Sequence, residues 1–199
     1  MSSRDESLAH GSRVLKRVPI PRKHPGILSK NGILAEVRAF IAGWAILGVL
    51  VLLGKAVWQL VPLALETGPL SPGQVALGVG WIGFMLYAEG YRGFQKAFSP
   101  RVVARALHLS RNPHWIHVLL APAYAMGLIH AAPRRLVVSW LLLVALAAIV
   151  LLVRKVPQPY RGIIDAGVVL GLAWGIGSIL CFAVRALFGR APRIDLDLP

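Results

Sequence analysis

The sequence has almost none of the residues from which most catalytic centres are built. A single cysteine, Cys181, in 199 residues excludes an intramolecular disulfide. It also lacks the neighbours of a thiolate metal site, and it reads as a small apolar packing residue. Acidic residues number only 8 against 22 Lys and Arg, for a net charge of +14. HExxH, GxSxG and the Walker loop are all missing, so none of these motifs assigns a reaction. No internal repeat is visible, which removes support for an inverted-repeat transporter.

What the chain does have is apolar length. Hydrophobic residues make up 56% of it, in five nearly uncharged runs: Ala39–Val61, Gln74–Ala88, Asn112–Pro133, Leu136–Val153 and Ile163–Val184. A bilayer core of about 30 Å needs roughly 20 apolar residues in helix, and only helices or closed barrels satisfy their own backbone there. The predicted fold is therefore all-α: a polytopic integral membrane bundle of five transmembrane helices. A basic tail, 1–30, is expected to be disordered. A membrane domain, 31–188, would carry spans near 39–61, 74–94, 112–133, 136–153 and 163–184, followed by a short tail, 189–199. The first helix, preceded by a mostly polar segment, is expected to target the chain without a cleavable signal peptide.

Basic residues set the orientation when counted near helix ends. Arg22, Lys23, Lys30 and Arg38 approach the first run, whereas the gap from 62 to 73 has neither Lys nor Arg. Arg92, Lys96, Arg101, Arg105 and Arg111 follow the second run. With five crossings, these positions predict a cytoplasmic N-terminus and a C-terminus on the other side. The expected location is a bacterial cytoplasmic (inner) membrane, multi-pass. Such cations attract anionic headgroups at about 1 kcal/mol each, so the expected partners are lipid and other membrane subunits. Nucleic acid is not expected, because no reading motif or basic face is present.

Polar residues inside the runs are the candidate sites. Glu89, Arg92 and Lys96 stand at α-helical spacing on one face, at the inner edge of the second span. Glu89 is the candidate for acid chemistry; Arg92, Lys96, Arg101 and Arg105 are candidate headgroup- or partner-binding residues. Val102, Val103, Ala106, Leu107 and Leu109 among those arginines predict a short amphipathic helix on the inner leaflet. Gly167, Gly171 and Gly175 form a small-residue stripe in the fifth run, and Gly80 and Gly83 form another in the second. Either stripe would pack within the bundle or dock another subunit. Trp174, near the middle of the fifth run, is expected to pack against another helix. Arg161 and Asp165 should pair at i,i+4.

His114 and His117 are the candidate metal ligands, though acidic or cysteine partners are not evident. His117 and His130, 13 residues apart, resemble the ligand spacing on one helix of a cytochrome-b type protein. No other run holds a histidine, so interfacial histidines are the better reading and no cofactor is expected. The function that follows is a non-catalytic membrane subunit, assembly factor or scaffold binding partner helices. The alternative is a small membrane enzyme or carrier acting on a lipid-like substrate at the cytoplasmic interface.

Overall fold

The computed structural model describes residues 25–192, 194 and 196. Arg22, Lys23 and most of the tail expected to be disordered lie outside the described residues. Every element is helical: α1 (Pro25–Leu65), α2 (Pro72–Met85), a π-helical stretch (Leu86–Phe98), α3 (Ser99–Arg111), α4 (Trp115–Leu119), α5 (Ala121–Ala125), α6 (Pro133–Val153) and α7 (Tyr160–Leu187). The helix thus starts at Pro25 rather than after residue 30.

Local chemistry explains several ends. Ser71 and Gln74 exchange side-chain and backbone hydrogen bonds at 3.4 and 2.9 Å. This capping box sits beside Pro72 at the first helical position, so the start of α2 is written in the sequence. α7 closes on Gly189 at φ +75°, with Gly189 N–H donating to Ala186 and Arg190 N–H to Arg185. Those two bonds form a Schellman end, for which glycine is suited by its freedom at positive φ.

From Pro72 to Arg111 the backbone is one continuous rod. Leu86 and Ser99, at the two junctions, keep right-handed helical dihedrals. Pro100 lies inside this continuous helix, at the junction where the π-helical stretch gives way to α3, and its missing N–H removes one bond of the ladder there.

α7 packs along this rod and runs parallel to it. Gly78 faces Ile163, Trp81 and Met85 close on Gly167, Glu89 lies on Gly171, and Phe94 lies on Gly175. The Trp81 indole donates to the Ile164 carbonyl at 3.2 Å. On α7 the contacts advance by four residues, while from Glu89 to Phe94 the rod needs five. A π turn holds more residues than an α turn, and this winding keeps the two helices in step. Gly80 and Gly83, by contrast, face open space, so the α2 glycine at the contact is Gly78.

α1 is antiparallel to both. Near its C-terminal end, the Leu63 carbonyl and Thr67 crowd Gly162 of α7. Further back, Ala45 and Val49 share a core with Ile179. The start of α1 and the end of α7 therefore lie at the same end of the bundle. Opposite ends were expected, and the direction of α7 overturns that reading.

The cause is the run 112–133, expected as one crossing helix. It breaks into α4 and α5, each five residues long, followed by turns at Gly127 (φ +77°) and His130 (φ +49°). Pro122 contributes no N–H, and Asn112-Pro113 resists the helical region before it, so no continuous ladder can form. The segment folds back at one end of the bundle. There Pro122 presses onto Gly48 of α1 so closely that a side chain on Gly48 would collide with the proline ring.

α3 is corrected as well. It is the centre of the core rather than a surface helix: Val102, Val103, Ala106 and Leu109 are buried with Ile41, Ala45, Val49, Ala121, Tyr124 and Ile179. Its apolar spacing was read rightly, but protein covers that face. α6 returns the chain toward the start of α7 and touches the other helices little.

Gly175→Val should destabilise the bundle by about 1–3 kcal/mol, because a Cβ there would stand 2.6 Å from the Phe94 ring. Adding Phe94→Ala should recover part of the loss, while Gly177→Ala, facing open space, should be neutral or slightly stabilising. Unfolding midpoints of the three variants in micelles test the register.

Candidate functional site

Two polar groupings occupy this bundle. The first is built around Arg105. Residue 105 falls on the inward face of α3 between Val102 and Leu109, so the guanidinium enters the core, where the residue is 3% exposed. Its Nε donates to the Tyr124 carbonyl at 2.8 Å, and one terminal nitrogen donates to the Leu196 carbonyl at 2.7 Å. The other donates to Ile129 and His130 carbonyls at 3.1 and 2.9 Å. The carbon of the guanidinium also lies 4.6 Å from the centre of the Tyr124 ring.

Three of these acceptors, on Tyr124, Ile129 and His130, are backbone oxygens where the run 112–133 breaks, and the fourth, Leu196, lies in the C-terminal tail. A buried carbonyl must be satisfied, and a charged five-donor fork does so with strong bonds. Arg105 is therefore a clamp on the folded-back segment and the C-terminal tail. It does not present itself to a phosphate. Arg101, one turn earlier, is half-buried along a narrow crevice with Phe98, Met126 and Leu196.

The clamp gathers aromatic rings that are distant in sequence. His117 stands 5.1 Å from His114, 4.6 Å from His130 and 5.2 Å from Tyr124, ring centre to ring centre. One continuous helix would hold His117 and His130 about 20 Å apart at 1.5 Å per residue; the fold-back puts them side by side. Among the described residues, no group of three or more His, Cys, Asp or Glu is placed to hold a metal ion. Burial, followed by the His130, His114 and Arg105 charges, holds the His117 imidazolium below the ordinary histidine range.

The second grouping lies between the π-helical stretch and α7. The Glu89 side chain enters the notch at Gly171, its Oε2 2.9 Å from where a Cβ on that glycine would stand. Gly90 backs onto the Trp174 ring, and the Trp174 indole donates to Gln95 Oε1 at 2.9 Å. Arg92 and Lys96 are exposed, away from α7. Among the described residues neither forms an ion pair with Glu89; Lys96 Nζ instead sits 4.6 Å from the Tyr91 ring centre. Shared-face spacing assumed α-helical winding, and π winding separates the three. Tyr87 stacks on Tyr91 at 6.1 Å, extending this outer aromatic face.

Asp165 is buried in α7, its Oδ2 3.7 Å from Arg161 Nε. Cys181 is exposed rather than packed. Sequence reasoning did not single out Tyr124, Gln95 or the grouping of His130 with His117. The available signal was the pair Pro122 and Gly127 inside an apolar run, which marks a break rather than a span. Comparison with family models, curated proteins and solved structures returns no match for this chain.

Arg105→Ala should cost about 1–3 kcal/mol or more by orphaning buried carbonyls. Arg105→Lys should recover only part, since an ammonium cannot fork to several acceptors. Protease cleavage between 112 and 130 should rise in the same order. The unfolded chain binds a proton at His117 near the ordinary pKa of about 6.5, whereas the folded chain resists it. Stability should thus fall as pH drops below that value, and His117→Gln should flatten the fall; unfolding midpoints at a series of pH values test it.

Proposed function

We propose that this chain is a membrane-embedded helical bundle acting as a non-catalytic subunit, assembly factor or scaffold for partner helices. Among the described residues, two helices are long and apolar enough to cross a membrane: Gly32–Leu65 within α1 and Tyr160–Leu187. In this reading the rod from Pro72 and the 21-residue α6 also cross, giving four spans. Both chain ends then face the cytoplasm.

Charge supports the revised count. With four crossings, Arg92 to Arg111, Arg134, Arg135 and the arginines after α7 all join the side of the N-terminal tail. Only Arg154, Lys155 and Arg161 remain opposite. That distribution is more lopsided than five crossings allow, as expected when basic loops stay inside. An anionic inner leaflet, such as that of a bacterial inner membrane, is the matching environment.

The observation that carries the scaffold reading is α6. Its Trp140 indole donates to the Leu128 carbonyl at 3.2 Å near one end. Beyond that point Leu141, Val144, Ile149, Leu151 and Leu152 are exposed, on more than one side of the helix. Helices in lipid associate through close packing, and α6 has left most of its surface unpaired. The lipid-enzyme alternative needs Glu89, Arg92 and Lys96 to converge on one substrate, and π winding sends them apart.

Reporter fusions at residue 25 and after residue 192 should fall in the same compartment, and one placed at residues 154–159 in the other. Termini in different compartments, or a protein soluble without detergent, would sink this reading.

A further inference from the structure

The register of α7 seats the Glu89 side chain on Gly171, within the contact between α7 and the rod. This argument rests on the membrane reading above.

The groups around it leave the carboxyl without a counter-charge. α2 carries no ionisable residue, and on α7 Asp165 pairs with Arg161 more than a turn away. On its own element, Arg92 is exposed and Lys96 lies over Tyr91. On α3, Arg105 is committed to backbone carbonyls and Arg101 lines the crevice by Leu196. Among the described residues no hydrogen bond or ion pair engages the Glu89 side chain. An ionised carboxylate so placed is costly in hydrocarbon, whereas the protonated acid is neutral. A metal cation would need further oxygens, and the Gln95 amide oxygen is already taken by Trp174.

We propose that Glu89 is a proton-binding site, seated in the Gly171 notch between α7 and the rod without a counter-charge. The glycine is part of the site, because any side chain at 171 would occupy the volume of the carboxyl. The π winding is part of it too, since it aims Glu89 at α7 and away from the two neighbouring cations. Such a group can exchange a proton without a compensating ion, which makes it a loading point for proton-coupled work by this chain or its partner.

A protonated carboxyl in hydrocarbon adds a lipid-soluble carbodiimide and, lacking water, rearranges to a stable acylurea. The test uses the full chain in phosphatidylcholine vesicles, treated with dicyclohexylcarbodiimide or with a water-soluble cationic carbodiimide, followed by peptide mass mapping. The lipid-soluble reagent should modify Glu89 at neutral pH and the water-soluble one should not. Labelling should fall about tenfold per pH unit once the carboxyl titrates. Glu89→Gln should abolish the product and Gly171→Leu should suppress it. An unmodified Glu89, or equal modification by both reagents, overturns the proposal. A photoactivatable phospholipid in the same vesicles separates the two readings. Cross-links on α6 with an unreactive Glu89 refute the proton site alone; no cross-links anywhere refute both.

Discussion

The close approach of α7 to the rod formed by α2 and the π-helical stretch governs the rest of this structure. Gly167, Gly171 and Gly175 offer bare backbone, and Trp81, Met85, Glu89 and Phe94 fill the space their side chains would take. Small residues at this spacing let backbones come near enough for dispersion contacts and buried polar groups to outweigh the loss of lipid contacts. Because the large residues advance along the rod in the same order as the glycines, the two helices can only be parallel. Parallel packing dictates that α6 must bring the chain back across, and that both ends of the described chain lie together.

The folded-back segment is the second determinant, and it depends on one cation. Helix breaks at Pro122 and Gly127 free carbonyls at the end of the bundle, and Arg105 collects them with the carbonyl of Leu196. An arginine in a core is tolerable only when such acceptors surround it. The same geometry explains why His114, His117, His130 and Tyr124 are neighbours. It also removes Arg105 from the set of residues that could meet a headgroup. The π winding has a comparable effect on the other grouping, by splitting Glu89 from Arg92 and Lys96.

Much of the local structure was legible. The Ser71-Pro72 start, the Arg161–Asp165 pair, the glycine stripe of α7 and the contact made by Trp174 all follow from nearest-neighbour chemistry or one-helix periodicity. The errors share a different origin. An apolar run from 112 to 133 satisfies a length criterion whether it crosses lipid or folds against α1 and α3. The amphipathic spacing of α3 is the same whether headgroups or protein cover its apolar face. α-Helical face sharing from Glu89 to Lys96 assumed a winding that packing against α7 replaced.

The sequence alone determined that the chain is helical, that several segments are too apolar for exposure to water, and that basic charge gathers in particular gaps. Those properties belong to single segments, where side-chain size, backbone freedom and charge act over a few residues. Tertiary structure alone decided the direction of α7, the seating of Glu89 on Gly171 and the reversal of the segment after Arg111. Each depends on which distant surfaces approach closely enough to exclude everything else, and a linear pattern records which faces want cover without recording what covers them.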